Sequence, residues 1–384
     1  MMGFSQTTFL EGSWDEAIAK AKKENKPIFA DLYFTGCMPC AKMDKEVFPN
    51  AKVSRMLNEN YIPWKIDVFK DDFGIELMKK YGITGFPTFL IFSPDKEILT
   101  IEAGFSGVDP LLEILSTSLD NFRNKKFLRY SAAFENDYPQ FYVDFMDRKG
   151  NANAEGLAAY LADKDLLKDD KAFVIASVMI HDGKYADTYI DNAVTLAESY
   201  GRNRVASELI GMMSNRANNS GVVNNVSGYN KTLQEIRPLF EDGDWLRFGI
   251  KIFLTPFYNT SGNTDWYLEK IQEEAYFKEE KANAFSQLIL NYKEDQEILN
   301  KIRNAYRSLD ESSLKTPDMY ELALVSYFLK DYAAAAAYIE KTDDTVSAYG
   351  LSKEEILALK NAISQKDPNY KGVLVKQIAP LVMN

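Results

Sequence analysis

The strongest constraint on this chain is the position of its two cysteines. Cys37 and Cys40 are the only cysteines among 384 residues, and two residues separate them. An apolar, strand-like run over 27–33 precedes the pair, and a helix-like run over 41–48 follows it. A CxxC pair in a turn between a strand and a helix is the arrangement of a redox-active dithiol. The pattern predicts thiol–disulfide chemistry.

The helical position favours Cys37 as the nucleophile. A thiol at a helix amino terminus faces unpaired backbone N–H groups and the positive end of the dipole, which stabilise the thiolate. Cys40 lies one turn further along, so it can attack a mixed disulfide formed at Cys37. Pro39 suits a first turn, where its missing N–H removes no hydrogen bond. Two alternatives remain open here: two buried apolar side chains, or half of a metal site.

Charge and composition exclude several function classes. The formal net charge is −11, so neither nucleic acid nor an anionic membrane is an expected partner. No apolar run approaches the ~20 residues that span a bilayer, so no membrane insertion is expected. His181 is the single histidine, and neither a nucleophile-elbow motif nor the spacing of a zinc site accompanies it. We expect no metal and no organic cofactor.

The chain changes character after residue 122. Strands and helices alternate over 1–122, which predicts an α/β domain. Helical periodicity continues from there to the end, which predicts an all-α domain over 123–384. The Asn- and Gly-rich stretch 214–229 is expected to be an irregular loop within it.

Two segments of the helical region are similar to each other. Ile175-Ala176 is followed by Tyr185, and Leu322-Ala323 is followed at the same spacing by Tyr332. Small residues near a helix crossing with an aromatic after the turn resemble tetratricopeptide-type hairpins. Only two segments show the pattern, so we expect a degenerate repeat-like domain. Its aromatic residues are expected chiefly between helices, and a groove that holds a protein partner is the functional alternative.

Residues 7–122 resemble the thioredoxin-like superfamily. The resemblance rests on Trp14 in a leading helix, Lys26-Pro27 before the first strand, and Met43 after the cysteines. A second signature, 81–88 (YGITGFPT), is similar to the family segment that carries a cis-proline. The subtype of the superfamily that has these features includes carboxy-terminal domains of periplasmic disulfide reductases. The resemblance implies a central mixed sheet flanked by helices.

The same resemblance implies residue roles. Cys37 would be the exposed attacking thiol and Cys40 the resolving thiol. Asp31 would be a buried acid whose raised pKa lets it accept the Cys40 proton. Pro87 would hold a cis bond opposite the cysteines, and the backbone of Phe86 would pair with an extended substrate strand.

Two residues depart from the family pattern. Gly36 stands where the family often has Trp, and Met38 stands where it often has Gly. With Phe86 and Pro87 they are the expected substrate-binding residues. Because Met38-Pro39 supplies no cation to stabilise a thiolate, a reducing pair is favoured over a strongly oxidising one.

The favoured hypothesis is a thiol–disulfide oxidoreductase that acts on protein substrates with a redox partner protein, while the helical domain docks the substrate. The first alternative is a binding scaffold on a thioredoxin-like platform. The second is a peroxidase that uses Cys37. We expect the bacterial periplasm or cell envelope, with the cytoplasm as the alternative. Met1–Gln6 fits either the stub of a trimmed secretion signal or a start methionine with a cloning remnant.

Overall fold

The computed structural model describes residues 6–135, 137–150, 153–273, 278–308, 314–342 and 351–375. The expectation about the amino terminus concerns Met1–Gln6, of which residues 1–5 lie outside the described range. The chain divides into two compact units. They are Met1–Met212 with Gln234–Phe240, and Met213–Leu233 with Glu241–Asn384.

The first unit contains a four-stranded mixed sheet. Its strands are β1 (Ile28–Tyr33), β2 (Ile62–Asp67), β3 (Thr88–Phe92) and β4 (Ile98–Ala103). Their order is β2-β1-β3-β4. The β1–β2 pair is parallel, whereas β3 runs antiparallel to both β1 and β4. The strand that leads to the cysteines is therefore central, which explains its nearly continuous apolar sequence.

Five helices belong to this sheet domain: α1 (Trp14–Glu24), α2 (Met38–Lys42), α3 (Ala51–Asn60), α4 (Asp72–Tyr81) and α5 (Val108–Arg123). Ser13 begins α1 with a capping box, in which its hydroxyl accepts the N–H of Glu16 and the Glu16 carboxylate accepts the N–H of Ser13. α2 continues directly into a π-helical segment, Met43–Val47. The predicted α/β fold is confirmed.

The core beneath the sheet holds the cysteine-bearing helix in place. The rings of Phe29 on β1 and Phe89 on β3 stack with centroids 5.2 Å apart. Leu115 of α5 packs in the same cluster, as do Met43 and Val47 of the π-helical segment. Burying each such side chain stabilises the fold by about 1.5–3 kcal/mol. These contacts hold the π-helical continuation of α2 against β1 and β3.

Further helices complete the first unit. They are α6 (Gln140–Met146), α7 (Ala154–Leu161), α8 (Asp170–Met179), α9 (Gly183–Asp191), α10 (Ala193–Tyr200) and the start of α11 (Arg202–Val222). The buried ring of Tyr130 lies 5.3 Å from the rings of both Tyr81 and Tyr200. Secondary structure changes near the predicted boundary at 122, but the compact unit continues beyond it. The boundary itself stays a prediction.

The rest of the chain is helical. The remaining α-helices are α12 (Val226–Ile236), α13 (Asp242–Phe248), α14 (Thr255–Ser261), α15 (Thr264–Glu273), α16 (Lys278–Asn291), α17 (Gln296–Arg307), α18 (Thr316–Phe328), α19 (Tyr332–Ile339) and α20 (Lys353–Gln365). No strand follows β4 among the described residues, so the predicted helical region is confirmed. No described helix is long and apolar enough to cross a bilayer.

The two similar sequence segments fall on helix pairs. The first lies on α8 and α9, and the second on α18 and α19. Each pair is joined by a short turn. Their tetratricopeptide character stays a prediction.

The loop expected over 214–229 is wrong, because α11 and α12 cover it except for 223–225. Gly221 shows the reason: a Cβ there would lie 2.0 Å from Thr260 Oγ1 and 2.5 Å from the Phe257 carbonyl oxygen. Glycine therefore permits close packing of α11 on α14, and that packing overrides its low helix propensity.

Candidate functional site

Cys37 and Cys40 lie at the start of α2, as the sequence predicts. They form a disulfide with Cα atoms 5.3 Å apart. Cys37 is the N-cap residue, and its sulfur accepts the backbone N–H of Cys40 at 3.2 Å. The N–H of Cys37 donates to the Phe34 carbonyl oxygen at 3.1 Å. The Cys37 sulfur therefore faces the unpaired N–H end of the helical segment, where a thiolate is stabilised.

The expectation of an exposed Cys37 is wrong for this disulfide form. Cys37 is 5% exposed and Cys40 is 3% exposed, because the bond directs the Cys37 sulfur toward its buried partner. The accessible surface belongs to the neighbouring residues: Met38 is 70% exposed, and Gly36 and Pro39 are exposed as well. A protein that approaches the disulfide meets these residues first.

Gly36 has a backbone reason to be glycine. Its φ is +96°, and a Cβ added there would meet no atom within 4 Å. Only conformation, and not crowding, disfavours a side chain at this position. The residue that departs from the family pattern therefore leaves open space beside the disulfide.

Asp31 is buried on β1 and faces a lysine. Its side chain is 1% exposed, and the parallel pairing places Lys65 of β2 opposite it. Lys65 Nζ lies 3.1 Å from Asp31 Oδ2. It also pairs with the carboxylate of Asp44 in the π-helical segment. Lys65 therefore links the strand carrying Asp31 to the helical segment that follows the cysteines.

This pairing leaves Asp31 with an unusual proton affinity. Burial raises its pKa to about 6, although the charge of Lys65 and its hydrogen bond oppose the rise. The charge of Asp44 adds to it. Burial lowers the pKa of Lys65, but the two carboxylates outweigh burial and the net direction is upward. A carboxyl group with a pKa near 6 can take up and release protons close to neutral pH.

The loop before β3 lies against the cysteine turn. The Phe86–Pro87 peptide bond is cis. The carbonyl oxygen of Pro87 accepts the N–H of Gly104 at 2.7 Å, which anchors the loop to the end of β4. The Phe86 ring centroid lies 5.4 Å from that of Phe34. Because Phe34 also accepts the N–H of Cys37, the two predicted parts of the site come together.

Phe34, Phe69 and Phe86 form an aromatic cluster beside the cysteine turn. The Phe69 ring lies 5.7 Å from Phe34 and 6.1 Å from Phe86. The parallel strands β1 and β2 end side by side here, with Val68 N donating to Tyr33 O at 2.9 Å. Phe69 is 50% exposed. The cluster therefore offers an apolar surface next to the site.

Sequence reasoning missed Lys65, Asp44 and Phe69. The available signal for Lys65 was a lysine within the otherwise apolar run 62–66. Phe69 and Asp44 carried no such signal, because only strand register and the π-helical geometry bring them to the site.

His181 lies exposed in the turn between α8 and α9. Across the described part of the chain, no group of three or more His, Cys, Asp or Glu side chains could hold a metal ion.

Comparisons with known proteins concern mainly this domain. Residues 14–117 match the family model of the thioredoxin-like domain. Mouse spermatogenesis-associated protein 20 is 48% identical over 52 residues, 14% of this chain and 7% of that protein. A thiol:disulfide interchange protein of Colwellia psychrerythraea is 33% identical over 99 residues, 25% of this chain and 16% of that protein.

Among solved structures, a putative disulphide isomerase from Bacteroides thetaiotaomicron is 30% identical, with a TM-score of 0.29. The match covers 30% of this chain and 95% of that one. The chain thus spans only 7% of the length of the mouse protein and 16% of the length of the Colwellia protein.

Proposed function

We propose that this protein, which contains a thioredoxin-like domain at residues 14–117, is a thiol–disulfide oxidoreductase that exchanges disulfides with protein substrates. One observation carries the proposal: Cys37 and Cys40 are joined as a disulfide at the start of a helix, where the backbone N–H of Cys40 donates to the Cys37 sulfur. The fold and the CxxC pair agree with this class of enzyme. Neither a metal nor an organic cofactor takes part.

The reaction proceeds by two exchanges. In the reduced protein the Cys37 thiolate attacks one sulfur of a substrate disulfide, forms a mixed disulfide and releases the other sulfur as a thiolate. Cys40 gives its proton to Asp31 and attacks the Cys37 sulfur. That step releases the second substrate thiolate. Asp31 then gives its proton to the solvent, and the two substrate thiolates take up protons from the buffered solvent. The substrate gains two electrons, and the protein ends as the Cys37–Cys40 disulfide.

Substrate binding is proposed at the surface around the disulfide. Met38 and Gly36 border it on the helix side, and Phe86 with Pro87 borders it on the loop side. An extended substrate segment would pair with backbone groups at Phe86, as in strand addition to a sheet edge. The open space at Gly36 suits a bulky substrate residue.

The helical region is proposed to dock the protein substrate. Its predicted domain, 123–384, would act as a degenerate tetratricopeptide-like module that presents a groove. We also propose that the protein works in the cell envelope with a second redox protein that regenerates its dithiol. The local likeness to thiol:disulfide interchange proteins supports this assignment. Cell fractionation tests the location, and the redox state of the cysteine pair in the fraction that contains the protein tests whether a partner regenerates the dithiol.

The direct test is trapping. We expect Cys40→Ser to accumulate thiol-sensitive adducts with native proteins through Cys37, because the resolving thiol is missing. Cys37→Ser is the matched control and forms none. The wild-type protein should also reduce insulin disulfides. If no adduct forms and the double serine variant keeps its biological role, the protein acts as a scaffold.

A further inference from the structure

Three large apolar side chains near the disulfide are exposed. Met38, Phe69 and Phe105 are 70%, 50% and 43% exposed. Met38 follows Cys37 directly, and Phe69 belongs to the aromatic cluster. Phe105 follows Gly104, whose N–H donates to the carbonyl oxygen of Pro87. Exposed apolar side chains grouped around one site mark an interaction surface.

A cation lies over each of the two exposed rings. The Arg148 guanidinium carbon lies 5.9 Å from the ring centroid of Phe69, and Lys42 Nζ lies 4.8 Å from that of Phe105. Among the described residues, neither cation forms an ion pair. By contrast, Lys149, which follows Arg148, pairs with Asp147 at 3.0 Å. Arg148 and Lys42 are therefore available to an anion from outside.

Arg148 comes from outside the residues that match the thioredoxin-like family. It follows α6, and α6 is held on α4 by two interactions. Asp147 pairs with Lys79 at 3.1 Å. The hydroxyl of Tyr142, which is fully buried, donates to the Lys79 carbonyl oxygen at 2.6 Å. The helical segment thus places a guanidinium group over a ring of the aromatic cluster.

The backbone at Arg148 would favour glycine. Its φ is +57°, just after the end of α6. Helices commonly end on glycine in this conformation, since glycine has no Cβ to clash. Glycine at this position removes the guanidinium group without straining the chain, and therefore permits a clean test.

We propose that Arg148 is a specificity-determining residue of the exchange site. It selects protein partners in which an aspartate or glutamate, next to an apolar residue, lies close to the reactive cysteine. The carboxylate binds the planar guanidinium group, and the apolar residue packs on Phe69. This inference rests on the proposed function. Because the chain carries a net charge of −11, the selection is local and not a long-range attraction.

Short peptides test the proposal. Each peptide is acetylated and amidated and contains a single cysteine. It also carries a Phe, and the variable residue, which is Glu, Gln or Lys, lies two positions from the cysteine. The cysteine is linked to 4-thiopyridine as a mixed disulfide. Attack by Cys37 on the peptide sulfur forms a new S–S bond and releases 4-thiopyridone, whose absorbance gives the rate. Neutral 4,4′-dithiodipyridine measures the reactivity of Cys37 alone.

We expect the reduced wild-type protein to prefer the Glu peptide over the Gln peptide by about 3-fold, the range of an exposed ion pair. Arg148→Gly should abolish the preference, Arg148→Lys should keep part of it, and Lys149→Gln, the matched control, should keep all of it. All four proteins should react equally with 4,4′-dithiodipyridine. High salt should reduce the preference.

Two results overturn the inference while the exchange reaction is intact: no preference in the wild type, or an unchanged preference in Arg148→Gly. A wild-type protein whose Cys37 reacts with no disulfide probe contradicts the proposed function instead. The two failures are therefore distinguishable.

Discussion

Lys65 Nζ lies 3.1 Å from Oδ2 of Asp31, whereas Oδ1 of the same carboxyl group has no hydrogen-bond partner among the described residues. The lysine stabilises the charged form of the acid, but burial destabilises it more, so the pKa rises to about 6. A half-satisfied buried carboxyl group is costly for a purely structural residue. In a proton acceptor it is useful, because the proton is bound and lost near neutral pH.

The first prediction concerns the resolving step. Asn in place of Asp31 cannot accept the Cys40 proton, so Asp31→Asn should slow resolution of a mixed disulfide by about 100-fold or more. In the wild type the rate should rise with pH around a midpoint near 6, the pKa of Asp31. Stopped-flow measurements from pH 4.5 to 8 give both quantities.

Glu102→Gln is the control for that experiment. Burial also raises the pKa of Glu102, but Asn203 bonds this carboxylate at 2.8 and 2.9 Å and no cysteine role is assigned to it. Its variant should keep the midpoint. A midpoint near 6 that persists in Asp31→Asn would exclude Asp31 as the acceptor.

The second prediction concerns stability. The folded protein keeps the Asp31 proton up to a pKa of about 6, whereas the unfolded chain loses it near 3.8. The native state therefore binds more protons in this interval, and the free energy of unfolding falls as pH rises through it. The loss is at most about 3 kcal/mol. Asp31→Asn should not show this loss of stability with rising pH. Urea unfolding at pH 4 and pH 7 should therefore show that the variant gains stability relative to wild type between the two pH values. A pH-independent difference would contradict the assignment.

The third prediction separates Asp44 from Asp31. The negative charge of Asp44 raises the pKa of Asp31, so Asp44→Asn should move the midpoint of the resolving rate below pH 6. The rate above the midpoint should stay the same, because the proton acceptor is intact. Glu46→Gln changes an exposed acid on the same π-helical segment and should leave the midpoint in place. An unchanged midpoint in Asp44→Asn would contradict the assignment of part of the raised Asp31 pKa to the charge of Asp44.

The fourth prediction concerns the attachment of α6. Tyr142→Phe leaves the Lys79 carbonyl oxygen without the donor that lies 2.6 Å away. Losing this bond should lower the free energy of local unfolding of α6 by about 1 kcal/mol, so its backbone amides should exchange hydrogen ~5-fold faster. Tyr138→Phe removes a hydroxyl from the same segment and should leave exchange unchanged. The preference for the Glu peptide should weaken in Tyr142→Phe alone, since Arg148 is positioned by α6.

Local pattern was sufficient for much of the site. The apolar strand before Cys37 and the helical run after Cys40 place the disulfide correctly, because strand and helix signals depend on neighbours in the chain. Local pattern failed over 214–229, where close packing of Gly221 on α14 permits a helix that propensity disfavours.

By itself, the sequence determined an α/β domain with a CxxC pair at a helix start, an acid on the preceding strand and a helical region behind it. Each of these follows from residue type and short-range spacing. Only the tertiary structure decided that Lys65 stands opposite Asp31, because that contact depends on the register of two parallel strands. It also brought Phe69 and Arg148 together across 79 residues of chain. Contacts between distant segments depend on packing, which no local pattern encodes.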